Sequence, residues 1–152
     1  MRARDLMVDY PACDVSEAAE QAVRLIADHQ RPAVLVTDRE RPVAVLPGSQ
    51  VLNFVIPMYL QEDPSLVSAF DEAAADACAA RLVGKTVGDL LPKAGAHRAR
   101  PAPMPLVRPE ATLMECAATM ARDHSPLIVV VDQQGKMLGA ITATRLLGAL
   151  LV

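Results

Sequence analysis

The residues with usable chemistry gather at a strand-to-helix turn that the 152-residue chain carries twice. In "GAITATRLL", residues 139–147, Thr142, Thr144 and Arg145 stand where an apolar run gives way to a helical pattern. In "AVLPGSQVL", residues 44–52, the same place holds Pro47, Ser49 and Gln50. Hydroxyls and a carboxamide both donate and accept, and a guanidinium offers a planar fork of donors matched to phosphate or carboxylate. The N–H groups of a first helical turn lack intrahelical partners and add an attraction for anions that no side chain dictates. The readable chemistry is capture of a small polar or anionic ligand.

Other basic side chains surround these turns. His29, Arg31 and His124 lie within three residues of Pro32 or Pro126, and His97, Arg98, Arg100 and Arg108 flank the second copy. Their plainer role is that of solvated cations at helix ends and loops, which the macrodipole favours at a helix C-terminus. Nothing here assembles a reaction centre. The three histidines are scattered, no serine sits in a nucleophile-elbow sequence and no His/Glu pair has metalloprotease spacing. Asp71 and Glu72 fit a solvated helix face, and Met104, Met114, Met120 and Met137 fit core filling. Cys13, Cys78 and Cys116 are odd in number and widely spaced, which suits buried thiols rather than a disulfide framework or a metal site. The expectation is a protein that is not an enzyme, with no metal and no obligatory cofactor.

The elements that must hold the two turns also repeat. "ADHQRPAVLVTD" (27–38) and "RDHSPLIVVVD" (122–132) each end a helical stretch and pass through a proline into an apolar run that stops at Asp. Pro32 and Pro126, like Asp38 and Asp132, are 94 residues apart; one residue inserted in the second turn makes the later offset 95. Residues 16–29 place Ala19, Ala22, Val23, Ile26 and Ala27 at helical spacing, and 112–124 do so with Leu113, Cys116, Ala117 and Met120. Thr112 and Glu115 have the spacing of a capping box. "PAVLVTD" and "PLIVVVD" have the β-branched composition of strands buried on both faces, and each continues through a turn into a second strand. Terminal helices are expected at 49–56 and 144–151.

Between the copies, 63–84 reads as one connecting helix, with Asp63 as cap, Pro64 at its first position and Gly84 as its stop. Leu66, Phe70, Ala73, Ala77 and Cys78 give it an apolar side that should dock on the core or on a partner. Within the lead-in of the second copy, 92–105 is rich in Pro and Arg and reads as an irregular loop. The units are therefore 1–57, a connector at 58–84, and 85–152.

Bulk properties narrow the class. The composition is 52% hydrophobic, yet no uninterrupted apolar run reaches the roughly 18 residues of a membrane span, so direct membrane insertion is not expected. A net charge of −3 and 3% aromatic residues argue against a nucleic-acid surface. The first residues lack the apolar core of a secretion signal, so a cytoplasmic location is expected.

A helix, a proline-led apolar strand ending in Asp, a tight turn, then "G-hydrophobic-hydrophobic-T" and a last helix, written twice, resembles a tandem pair of cystathionine β-synthase (CBS) domains. "DLM" (5–7) and "DLL" (89–91) sit where that family begins each unit. The resemblance implies an α/β (α+β) fold in which two pseudo-symmetric β-α-β-β-α repeats pack sheet to sheet into a disc-like module. It implies clefts for AMP, ADP, ATP or S-adenosylmethionine, a regulatory role, a homodimer, and a transporter, channel or enzyme partner regulated in trans. The family's motif closes the second strand with Thr or Ser and places an Asp three residues later to accept from the ribose hydroxyls. Here Thr142 is followed by Arg145, and Pro47 by Gln50, so neither copy has the pair. The ligand contacts implied are Thr142, Thr144, Arg145 and His124 with Pro105, Leu106 and Val107 in the second copy. In the first copy they are Ser49, Gln50 and Arg31 with Ala12 and Cys13. The competing expectation is a dimerisation and docking subunit that no longer binds nucleotide.

Overall fold

The computed structural model describes residues 1–92 and 104–152. Its first repeat comprises α1 (Ala3–Leu6), β1 (Ala12–Asp14), α2 (Ala19–Asp28), β2 (Ala33–Asp38), β3 (Arg41–Pro47) and α3 (Gly48–Val55). The second comprises α6 (Val87–Leu90), β4 (Leu106–Val107), α7 (Leu113–Asp123), β5 (Leu127–Val131), β6 (Met137–Thr142) and α8 (Ala143–Leu150). Each repeat builds a three-stranded sheet, β1-β2-β3 and β4-β5-β6, with one parallel and one antiparallel pairing. Both terminal helices begin one residue earlier than the sequence suggested, because the last strand residue, Pro47 or Thr142, is itself the cap.

The period of two along each central strand explains its nearly unbroken apolar run. Val34 and Val36 face the helices of their own layer, as do Ile128 and Val130, whereas Ala33, Leu35, Leu127, Val129 and Val131 meet between the sheets. The order of layers is helices, sheet, sheet, helices. All nine of those side chains are buried, and enclosing each Val, Leu or Ile contributes about 1.5–3 kcal/mol.

The lead-in helices exchange partners. α1 packs into the second repeat's cluster with Val107, Cys116 and Ile141, while α6 packs into the first repeat's with Cys13, Ala19 and Leu46. Matching backbone bonds fix both: Ala3 N donates to Ala111 O (2.8 Å) and Val87 N to Glu17 O (2.8 Å); Arg4 N donates to Pro109 O (3.0 Å) and Gly88 N to Val15 O (3.0 Å). Ala18, the residue before α2, offers no side-chain cap, but Lys85 O accepts from Ala19 N at 2.8 Å. At the corresponding place α7 has the expected capping box, Thr112 N to Glu115 Oε2 at 2.6 Å and Glu115 N to Thr112 Oγ1 at 3.1 Å.

The connector departs from expectation. It forms α4 (Met58–Glu62), a 3-10 turn at Pro64–Ala69, α5 (Glu72–Ala79) and a second 3-10 turn at Ala80–Leu82 rather than one helix. Asp63 does cap, accepting from Ser65 N at 3.2 Å, but Phe70 is extended and Asp71 caps α5 anew by accepting from Ala74 N at 3.1 Å. Leu66, Phe70, Ala73 and Ala77 are exposed, so the apolar side does not dock on the core. Met114 is likewise exposed rather than core-filling. Among the described residues no helix is long and apolar enough to cross a membrane.

Candidate functional site

The candidate residues converge at one end of each sheet. In the second repeat, Thr142 pairs with Leu127 across β5 and β6, Ala143 N donates to Pro126 O at 2.9 Å, and Pro105 O accepts from Val129 N at 2.8 Å. His124–Pro126, Thr142–Arg145 and Pro105 therefore meet where α8 begins. The first repeat reproduces this: Ala33 pairs with Pro47, Gly48 N donates to Pro32 O at 3.0 Å, and Pro11 O accepts from Leu35 N at 3.1 Å. Arg31, Ser49, Gln50 and Ala12 thus form the equivalent group.

Several of these side chains already have partners. Thr142 Oγ1 accepts from Arg145 N at 3.3 Å as the cap of α8, so its hydroxyl holds the helix start in place. The guanidinium of Arg145 turns toward α1, and its Nε donates to Leu6 O at 2.5 Å. Gln50, at the corresponding position, donates from Nε2 to Leu90 O at 3.3 Å. Arg145 makes no ion pair among the described residues. Arg31 stacks over the Tyr10 ring, 5.2 Å from its centroid, and Tyr10 in turn donates its hydroxyl to Ala33 O at 2.9 Å. Burial pushes the Tyr10 phenol up, partly offset by the Arg31 charge.

The remaining candidates divide by exposure. Ser49, Thr144, His124, Ala12 and Leu106 are exposed; Pro105 and Val107 are buried, leaving mainly their backbone to meet a ligand. His124 ends α7 in the left-handed region at φ 49°, as Gln30 does after α2. Cys13 is buried in the first repeat's core with its thiol pushed up to about 11 by burial and by Glu17 and Asp14, so its side chain belongs to packing. Arg108 donates to the Asp132 carbonyl at the base of the second hairpin. His97, Arg98 and Arg100, with most of the 92–105 loop, lie outside the described residues. No cluster of His, Cys, Asp or Glu suited to a metal occurs among the described residues.

Two features escaped the reading of residue types. Tyr10 anchors Arg31, and the only signal for it was an aromatic residue beside Pro11 in an aromatic-poor chain. The carbonyls of Leu6 and Leu90 have no residue signature, but the repeated "DL" starts marked their equivalence.

An open depression of about 790 Å³ lies elsewhere, on the outer side of α7, bordered by Leu106, Arg108, Glu115, Thr119 and Arg122. It touches the candidate group only through Leu106 and Val107.

Comparison with known proteins places the architecture. The family model for the CBS domain matches residues 99–152. A CBS domain-containing protein of unknown function from Kribbella flavida is 39% identical over 100% of this chain and 99% of its own, with a TM-score of 0.87. The complex of CBSX2 with AMP is 20% identical, covering 99% of this chain and 96% of that one, with a TM-score of 0.66; a second structure of the CBS-pair protein CBSX2, from Arabidopsis thaliana, gives 0.72. The CBS domain of a CBS domain-containing membrane protein from Sphaerobacter thermophilus is 18% identical, covering 97% of this chain and 86% of its own, with a TM-score of 0.69. A search of curated protein sequences finds no match. With two copies of the same sheet-and-helix unit, and a relative 39% identical along its whole length, the chain belongs to the CBS-domain family.

Proposed function

We propose that this chain is a regulatory module that senses an adenine nucleotide or a related adenosyl ligand bearing an anionic group, and passes its occupancy to a separate protein. The observation that carries the reading is the placement of Arg145. Its guanidinium stands at the turn where the family's ribose-accepting carboxylate would be, without an ion pair among the described residues, beside the N-terminus of α8. A guanidinium cannot accept from a vicinal diol but forks well onto phosphate, so phosphate rather than ribose is the group it selects. The AMP bound to CBSX2 supports the ligand class, and the Sphaerobacter membrane protein supports a membrane-embedded kind of partner. Cytoplasmic action and regulation in trans complete the reading.

Self-association accompanies it. Leu52 on α3 and Leu147 on α8, 95 residues apart, are the same position in the two repeats, and each is 60% exposed. Such paired apolar side chains suit a second copy of the chain. Sedimentation should show a dimer at tens of micromolar that Leu52→Glu with Leu147→Glu dissociates; a monomeric wild type refutes it.

A second reading rests on a separate observation: Gln50 and Arg145 each already donate to a backbone carbonyl. A scaffold that no longer binds nucleotide would look the same. Thermal-shift titration with ATP, ADP, AMP and S-adenosylmethionine decides between them, since a ligand of the native state raises its stability by mass action. A rise that Arg145→Glu abolishes supports sensing; no rise at millimolar nucleotide leaves the scaffold.

A further inference from the structure

We infer that Gln50 and Arg145 are reciprocal clasps, each fastening the lead-in helix of the opposite repeat, and that an anion bound at Arg145 opens one of them. The opening step rests on the sensing function proposed above; the clasps do not.

α1 and α6 have four residues each, a single turn that cannot sustain itself in water, so both depend on outside partners. The last carbonyls of any helix lack intrahelical donors, and a cation there also meets the negative end of the macrodipole. Leu6 O and Leu90 O are the final carbonyls of these turns. They receive their side-chain donors from Arg145 and Gln50, which are 95 residues apart and sit at one structural position. Each donor comes from the terminal helix of the repeat into whose core that lead-in packs. The exchange of lead-ins and the exchange of clasps are thus one arrangement.

The two clasps differ in kind. Arg145 supplies a charged donor at 2.5 Å and Gln50 a neutral one at 3.3 Å, and a charge-assisted bond is about twice as strong. A phosphate draws a guanidinium more strongly than a peptide carbonyl does, so an anion that takes the side-on edge of Arg145, Nε with one Nη, competes directly with Leu6 O for the Nε proton. A carboxamide offers no such competition at Leu90.

Hydrogen exchange of the full chain tests this. Arg145→Ala should speed exchange at residues 3–8 by about tenfold, the equivalent of one modest hydrogen bond, and leave 87–91 unchanged. Gln50→Ala should do the reverse by a smaller factor. No local change, or equal acceleration of both segments in either variant, overturns the clasps. In wild type, ATP that raises the melting temperature should speed exchange at 3–8. ATP that raises it while slowing exchange there overturns the opening step alone. ATP without any thermal effect removes the opening step together with the sensing function, and the two variants still decide the clasps.

Discussion

Gly139→Ala isolates what holds the first lead-in. A methyl at this position would lie 3.0 Å from the Val8 carbonyl oxygen and 3.3 Å from Met7 Cβ. The oxygen cannot simply retreat, because it accepts from Ala140 N at 3.0 Å while Val8 N donates to Ala140 O at 2.9 Å. Relieving the contact means lengthening or losing that bonded pair, at about 0.5–1.5 kcal/mol for each bond. Alanine in a strand recovers roughly 0.5–1 kcal/mol of backbone entropy relative to glycine. The net expectation is a loss of about 1–2 kcal/mol, or roughly 2–8 °C in melting temperature for a chain of this size. Calorimetry reads the shift, and hydrogen exchange should place the new opening at Val8 and Ala140. The first repeat supplies the control: the residue corresponding to Gly139 is Ala44, and the residue corresponding to Val8 is Pro92, which has no N–H to pair. Ala44→Gly should therefore destabilise by backbone entropy without altering exchange near residue 92. An unchanged or raised melting temperature for Gly139→Ala would show that the close approach is not fixed by the Val8 pairing.

Three further outcomes follow from local geometry. The Thr112 amide and hydroxyl hold the Glu115 carboxylate below its ordinary range. A depressed folded value stabilises above the unfolded pKa and is lost as pH falls through the folded one, so Glu115→Gln should flatten the acid limb of a pH–stability curve below about pH 4.3; an identical limb refutes this. Arg39 and Glu40 form the first hairpin turn with φ of 53° and 68°, a left-handed pair that favours Asn-Gly. Arg39→Asn with Glu40→Gly should stabilise by about 1–2 kcal/mol in thermal unfolding, despite loss of the exposed Glu40–Lys136 pair at 3.3 Å; a net loss would give that pair the larger role. Finally, a thiol reagent at neutral pH should modify Cys78 first, since Cys13 and Cys116 are buried and burial pushes both thiols up; equal rates would mean the cores open readily.

The doubled pattern carried the fold because each of its signals has a local cause. Pro32 and Pro126 mark strand entry, alternating burial makes the β2 and β5 runs apolar on both faces, and Thr112 with Glu115 starts α7. The connector was misread because apolar spacing at Leu66 and Phe70 says nothing about whether a helix has anything to pack against. The break at Asp71 was written in a residue type that caps as readily as it solvates. At the candidate site, residue types located the turns but not their partners. Arg145 and Gln50 bond to carbonyls, and a carbonyl is present at every residue. Only the fold decides which one lies within reach.

Duplication starts from two equal halves, and three separate differences here all favour the hold on the first lead-in. Arg145 stands against Gln50 as a donor, Val8 against Pro92 as a strand partner, and Gly139 against Ala44 as the residue that allows close approach. The first acts at Leu6 O and the other two meet at the Val8 carbonyl, yet all three bear on the first lead-in. A ligand moves an equilibrium only as far as its affinities for the two states differ. A lead-in held by a charged donor can register an anion because the same guanidinium serves both, whereas one held by a carboxamide gives an anion nothing to take. Under the sensing function proposed above, the asymmetry of the substitutions would make the halves unequal in response, with the second repeat's turn and the first lead-in forming the pair through which an anionic ligand would act.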